Sequence, residues 1–155
     1  MASRRSEITM SDAELARFLD EERVLTCATL GAHGRPHLMP LWYVRDGLTL
    51  LAWTYGKSQK VRNLERDPRA TVQVEAGRDR YGELRGVMIE CDVAIEHDPE
   101  RILETGLRLA ARYAGADGGP EARERVRQQG RKRVVLRFAP TRIVSWDHRK
   151  LAGAY

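Results

Sequence analysis

Apolar positions along this chain follow two rhythms, one of period 3.6 and one of period 2. In SDAELARFLDEER, Leu15, Phe18 and Leu19 fall on one helical face, and Ser11 followed by Glu14 forms a capping box, so a helix is predicted to about Glu22. Strands follow: VLTCATL (24–30), HLMPLWYV (37–44), LTLLAWT (48–54), RATVQVEAG (69–77) and VMIECDVAIE (87–96). Between them GAHGRP is a turn, Asp46-Gly47 is a hairpin signal and GRDRYGELRG is a polar turn. Pro40 inside the second strand argues for an edge or a bulge. A short helix is expected over Gln59–Arg66, stopped by Asp67-Pro68. After Asp98-Pro99 the period returns to helical, with Ile102, Leu103, Leu107 and Ala110 on the apolar side. EARERVRQQG is a second, very polar helix, and RKRVVLRFAP and TRIVSW supply the last strands.

Six or seven strands with hairpin links and no βαβ alternation disfavour a parallel sheet. They predict a mainly β (α+β) protein, a closed or split antiparallel barrel with peripheral helices. The 155 residues favour one domain over 11–155, preceded by a loose tail at 1–10 whose twin Arg has no apolar region behind it. Hydrophobic residues are 42% and charged residues 32%, ordinary for a globular chain, and no run is long enough to span a membrane. Cys27 and Cys91 form no CxxC and no second pair, so reduced thiols in a cytoplasmic protein are expected. The net charge of +5 suits an anionic ligand without specifying one.

His33, His37, His97 and His148 share no metal-ligand spacing, and no GxSxG is present. GRKR (130–133) lacks interleaved aromatics and reads as a solvated face rather than a nucleic-acid patch. TYGKSQKVRNLERDP (54–68) is richer. Ser58 is a plausible N-cap, and a helix N-terminus offers unpaired N–H groups. Lys57 and Lys60 would flank that end, Val61 and Leu64 would anchor the helix, and Arg62 and Arg66 would share another face. The local pattern leaves a solvated helix, with Glu65 and Asp67 balancing the arginines, beside a phosphate site. Trp42 and Tyr43 on one strand, and Trp53 and Tyr55 on its hairpin partner, form either core or a wall for a planar ring.

Taken in order, ATLGxxGRPHxxPLWY, DGLTLLAWT and KSxKVRNLxRDPRATV resemble the core of the pyridoxamine 5'-phosphate oxidase-like superfamily of flavin and deazaflavin oxidoreductases. The ending RIVSWDHRKLAG is similar to the branch that uses the deazaflavin coenzyme F420. The resemblance covers most of 24–96 and about the last twelve residues. It implies an FMN-binding split barrel, built as a homodimer with two cofactor sites at the subunit interface. By the same resemblance Lys60 and Arg62 hold the cofactor phosphate, with Lys57 and Ser58 close by. Pro40, Leu41 and Trp42 line one side of the tricyclic ring, largely through backbone. Ala52, Trp53 and Thr54 meet the ring and ribityl chain, Asn63 locks the helix, and Trp146 reaches the site from the C-terminal segment, across the dimer. The longer chain and basic C-terminal region of pyridoxamine phosphate oxidases proper are missing here, which favours the deazaflavin branch. A groove with Arg35, Lys57, Arg62 or Arg66 would suit that coenzyme's acidic tail.

The activity implied is F420-dependent hydride transfer to a small unsaturated or conjugated substrate, the cofactor carrying the chemistry. FMN-dependent oxidation or reduction, and a flavin- or deazaflavin-binding module without turnover, are the alternatives. Tyr43, Tyr55, His37 and His148 are candidate proton donors, and the sequence singles out none as catalytic. No metal, nucleic acid or membrane is expected as a partner.

Overall fold

The computed structural model describes residues 4–151. Seven strands form one antiparallel sheet: β1 (Leu25–Leu30), β2 (Pro36–Leu41), β3 (Val44–Asp46), β4 (Thr49–Tyr55), β5 (Arg69–Ala76), β6 (Arg85–Glu96) and β7 (Arg133–Asp147). The order across the sheet is β2-β1-β5-β6-β7-β4-β3. β2 and β3 are its two edges, yet only Trp42 and Tyr43 separate them in the chain. Three Cα steps span at most about 11 Å, so the sheet must curl until its edges approach each other. The result is a split barrel with helices at its ends and on one flank.

The strand expected over 37–44 is therefore two strands. Pro40 lies in an edge strand opposite Thr26, where its missing N–H costs no ladder bond on the free side. The chain then leaves one edge and joins the other, which a local pattern does not reveal. β3 and β4 form the hairpin expected at Asp46-Gly47, with Gly47 at a positive φ of 58°. The two terminal strands expected are one, β7, which runs through Pro140. A register shift between Glu90 and Cys91 accommodates the proline: Glu90 faces Arg142 while Cys91 faces Pro140.

Alternation places Leu25, Cys27, Val72, Val74, Val87 and Ile89 inside the barrel. β4 and the first part of β7 (134–136) are buried on both faces. Leu50, Ala52, Val134 and Leu136 point inward, whereas Leu51 and Val135 join Ile102 and Leu109 in a second core on the outer flank. This explains the unbroken apolar runs LLA and VVL. Helix α2 (Asp12–Glu21) keeps its capping box and buries Leu15, Phe18 and Leu19 in the barrel. Helix α3 (Gln59–Arg66) buries Val61 and Leu64 there too. α4 (Pro99–Ala114) and α5 (Pro120–Gly130) cover the flank.

The first ten residues differ from the expected tail where they are described. α1 (Arg5–Ile8) is one helical turn, and Met10 is buried, its N–H donating to Ser145 Oγ at 3.0 Å. Lys150 Nζ donates to the Thr9 carbonyl and pairs with Glu14, each at 2.7 Å. Among the described residues no helix is long and apolar enough to cross a membrane. No group of His, Cys, Asp or Glu there could hold a metal ion.

Candidate cofactor site

Helix α3 has the bounds the sequence predicts, and its two faces divide the work. Asn63, fully buried, donates to Thr29 Oγ1 at 3.0 Å and accepts from Gln59 Nε2 at 2.9 Å, which locks the helix onto β1. Arg66 donates to the Leu30 carbonyl at 2.6 Å. It does not pair with Asp67, whose carboxylate is taken by Arg69 at 2.8 Å and held at about pKa 2 by that hydrogen bond.

Lys60 turns the other way and is 8% exposed. Its ammonium donates to Thr54 Oγ1 at 3.1 Å, and Thr54 Oγ1 lies 3.4 Å from Ser58 Oγ. No carboxylate pairs with Lys60 among the described residues. Burial pushes its pKa below 10.5; the nearby Cys27 thiol opposes the shift and Arg133 adds to it. An ammonium has three donors and carries a charge that is costly to bury unpaired. Ser58 stands at the N-cap of α3, but its side chain makes no cap bond, so it does not consume the helix's first N–H groups. These features fit an anionic oxygen group beside Lys60. Lys57 and Arg62 are both exposed, at the edge of this cluster rather than in it.

A second cluster lies on the opposite face of β4. Successive side chains alternate, so Thr54 joins Lys60 while Trp53 and Tyr55 face the flank. A cavity of about 580 Å³ there is lined by Pro40, Leu41, Trp42, Trp53, Leu109 and Arg133, among others. Trp53 Nε1 donates to the Ile102 carbonyl at 2.9 Å. Its ring lies where a Cβ on Gly106 would be, so the glycine allows α4 to approach the indole. Trp42 is exposed and stacks on Tyr113, with centroids 4.5 Å apart and planes 7° apart. The Tyr113 hydroxyl donates to the Arg23 carbonyl at 2.8 Å and also accepts the Tyr43 N–H, which holds the stack in place.

Thus Thr54, Ser58 and Lys60 come together on one face, and Pro40, Leu41, Trp42 and Trp53 on the other. Ala52 is fully buried in the barrel core, leaving only its backbone to offer. Trp146 lies over Gly86. It is not among the residues that line this cavity. Among the expected proton donors, Tyr43 is wholly buried in the core rather than on a wall. Its hydroxyl donates to the Leu19 carbonyl at 2.7 Å, and burial pushes its pKa up to about 12. His148 packs edge-on against Tyr81 near Trp146. His37, half-buried on β2, and Tyr55, exposed, remain accessible.

Arg131 and Lys132 of GRKR are exposed, as a solvated face would have them, and Arg133 alone is half-buried. It stands opposite Tyr55 in the register, its guanidinium carbon 3.7 Å from the Tyr55 ring centroid and 5.9 Å from that of Trp53. The signal was available only in the alternation of RVVL: with Val134 inside, Arg133 and Val135 face the flank.

A model of the pyridoxamine 5'-phosphate oxidase family matches residues 11–147. No curated protein sequence matches significantly. Among solved structures, the conserved hypothetical protein Rv2991 from Mycobacterium tuberculosis is 42% identical, with a TM-score of 0.91 over 97% of this chain and 93% of that one. An F420 reductase is 26% identical, with a TM-score of 0.63 over 82% and 93%. The heme storage protein HutZ from Vibrio cholerae shares the fold at 18% identity, with a TM-score of 0.67 over 86% and 93%. A family match that spans nearly the whole split barrel, together with a close structural relative over almost its full length, means that the chain belongs to the pyridoxamine 5'-phosphate oxidase family.

Proposed function

We propose that this protein is an F420-dependent oxidoreductase that transfers a hydride between the reduced deazaflavin and a small conjugated substrate. The observation that carries the reading is Lys60: a buried ammonium, bonded to one hydroxyl and without a carboxylate among the described residues. Lys60, Thr54 and Ser58 hold the cofactor phosphate, with Lys57 and Arg62 at its edge. The backbone of Pro40, Leu41 and Trp42 and that of Ala52 and Trp53 flank the ring. The deazaflavin, when bound, supplies the hydride chemistry. The protein's own part is to fix orientation and exclude water, through Trp42, Trp53 and Leu109. The similarity to an F420 reductase favours the deazaflavin over FMN.

The working unit is a homodimer. The outward face of β1, β2, β5 and β6 leaves Leu30 and Leu38 exposed, and across Thr26 and Gln73 the same face carries Met88 and the exposed Val144. A second copy docked on this face could bring Trp146 toward the partner's site.

Titrating the apo-protein with F420 and with FMN, read by fluorescence, tests the choice of cofactor. Saturable F420 binding that exceeds FMN binding is expected. Tight FMN binding with no response to F420 would transfer the reading to a flavin enzyme of the same fold.

A further inference from the structure

We propose that Arg133 makes this cleft selective for conjugated substrates that carry a carboxylate, which docks on its guanidinium. The inference rests on the cleft being the substrate site of the proposed oxidoreductase. Among the described residues Arg133 is the one charged residue lining the 580 Å³ cavity; its other walls are apolar, aromatic or small, with Gln129 the remaining polar side chain. The guanidinium carbon sits over Tyr55, 3.7 Å from the ring centroid, a contact that gives its N–H groups no hydrogen-bond acceptor. No carboxylate pairs with it among the described residues, and its buried Nε has no acceptor there. The nearest acid in the register, Glu96, faces Val135; its Oε2 lies 3.6 Å from Arg101 Nε, accepts no hydrogen bond among the described residues and forms no ion pair with Arg133.

A neighbouring cavity of about 380 Å³ shares Val126 and Arg133 with the first. It adds Arg127, Arg131 and His97 against a single acid, Glu100. Arg127 is already paired with Glu124 at 2.9 Å, whereas Arg131 has no ion pair among the described residues. An anionic substrate end therefore meets Arg133 and Arg131 on the two sides of Val126. An apolar cleft that holds one unsatisfied planar cation discriminates strongly against a neutral isostere, because the cation would then lose its water without gaining a partner.

The test uses 2-naphthoate and its neutral isostere 2-naphthamide as probes, with binding to the full-length protein read by quenching of tryptophan fluorescence. Wild type is expected to bind the naphthoate at least roughly tenfold more tightly. Arg133→Gln should bring that ratio close to one while naphthamide still binds, which shows the cleft intact. Arg133→Lys should restore only part of the preference. Equal affinities in wild type, or a preference that survives Arg133→Gln, would overturn the proposal. F420 affinity is measured on the same variants. A loss in Arg133→Gln as large as that in Lys60→Ala would make Arg133 a cofactor anchor and overturn the substrate assignment. No F420 binding to wild type would instead defeat the cofactor reading and leave the naphthoate ratio to be judged on its own.

Discussion

Lys60 carries a charge that the folded chain does little to neutralise. Burial lowers its pKa from 10.5, so the free protein gives up this proton at lower pH than the unfolded chain does. The sign for stability follows: folding is opposed below the folded pKa, and the penalty fades as pH rises from the folded toward the unfolded value. The sign for binding is opposite in consequence, since an anion favours the charged form. F420 affinity should fall as pH rises through the free protein's Lys60 pKa, which lies below 10.5, with proton uptake on binding in that window. Titrations at increasing alkaline pH check this, and Lys60→Arg, charged throughout, should flatten the profile. Spacing around one helix start marked Ser58 and Lys60, whereas Thr54 came from the family resemblance, as a strand residue expected at the ring and ribityl chain. Arg133 escaped because its importance lies in facing Tyr55 across β4 and β7, a pairing between residues far apart in the chain.

At the scale of elements, Arg112 joins what the chain separates. From α4 it donates to the carbonyls of Leu19 and Glu22 at the end of α2, at 2.8 and 2.6 Å, and to the Tyr43 carbonyl at 2.8 Å. It thereby satisfies orphan carbonyls at a helix C-terminus and fixes the flank that carries the cleft. Arg112→Ala should lower unfolding stability by about 2–4 kcal/mol, read by urea titration. Helix α3 was legible to its ends, since Ser58 and Asp67-Pro68 are local signals. The division of 37–44 into β2 and β3 was not, because it depends on which distant edge each half joins. On α4 the apolar side was seen through Ile102 and Leu103. Gly106 and Leu109 were missed there, because burial of a glycine is decided by Trp53 on another element.

For the molecule as a whole, hairpin links without βαβ units made an antiparallel barrel readable from turns and alternation. The exposed Leu30 and Leu38 on the outward face of β1 and β2 did not stand out, since they come from separate strands with Thr26, Thr71 and Gln73 on the same face. If that face joins two copies, Leu38→Glu, at a side chain 59% exposed, should dissociate the dimer and weaken cofactor binding while each chain stays folded. Sedimentation analysis with circular dichroism checks both parts. The central claim is that Lys60 anchors a deazaflavin phosphate, and the most direct measurement is the F420 dissociation constant of Lys60→Ala beside wild type, with melting temperatures recorded to confirm folding. The account predicts a loss of about 1.5–3 kcal/mol, roughly 10- to 150-fold, from the missing charge-assisted bond. An unchanged dissociation constant in a folded variant would contradict it.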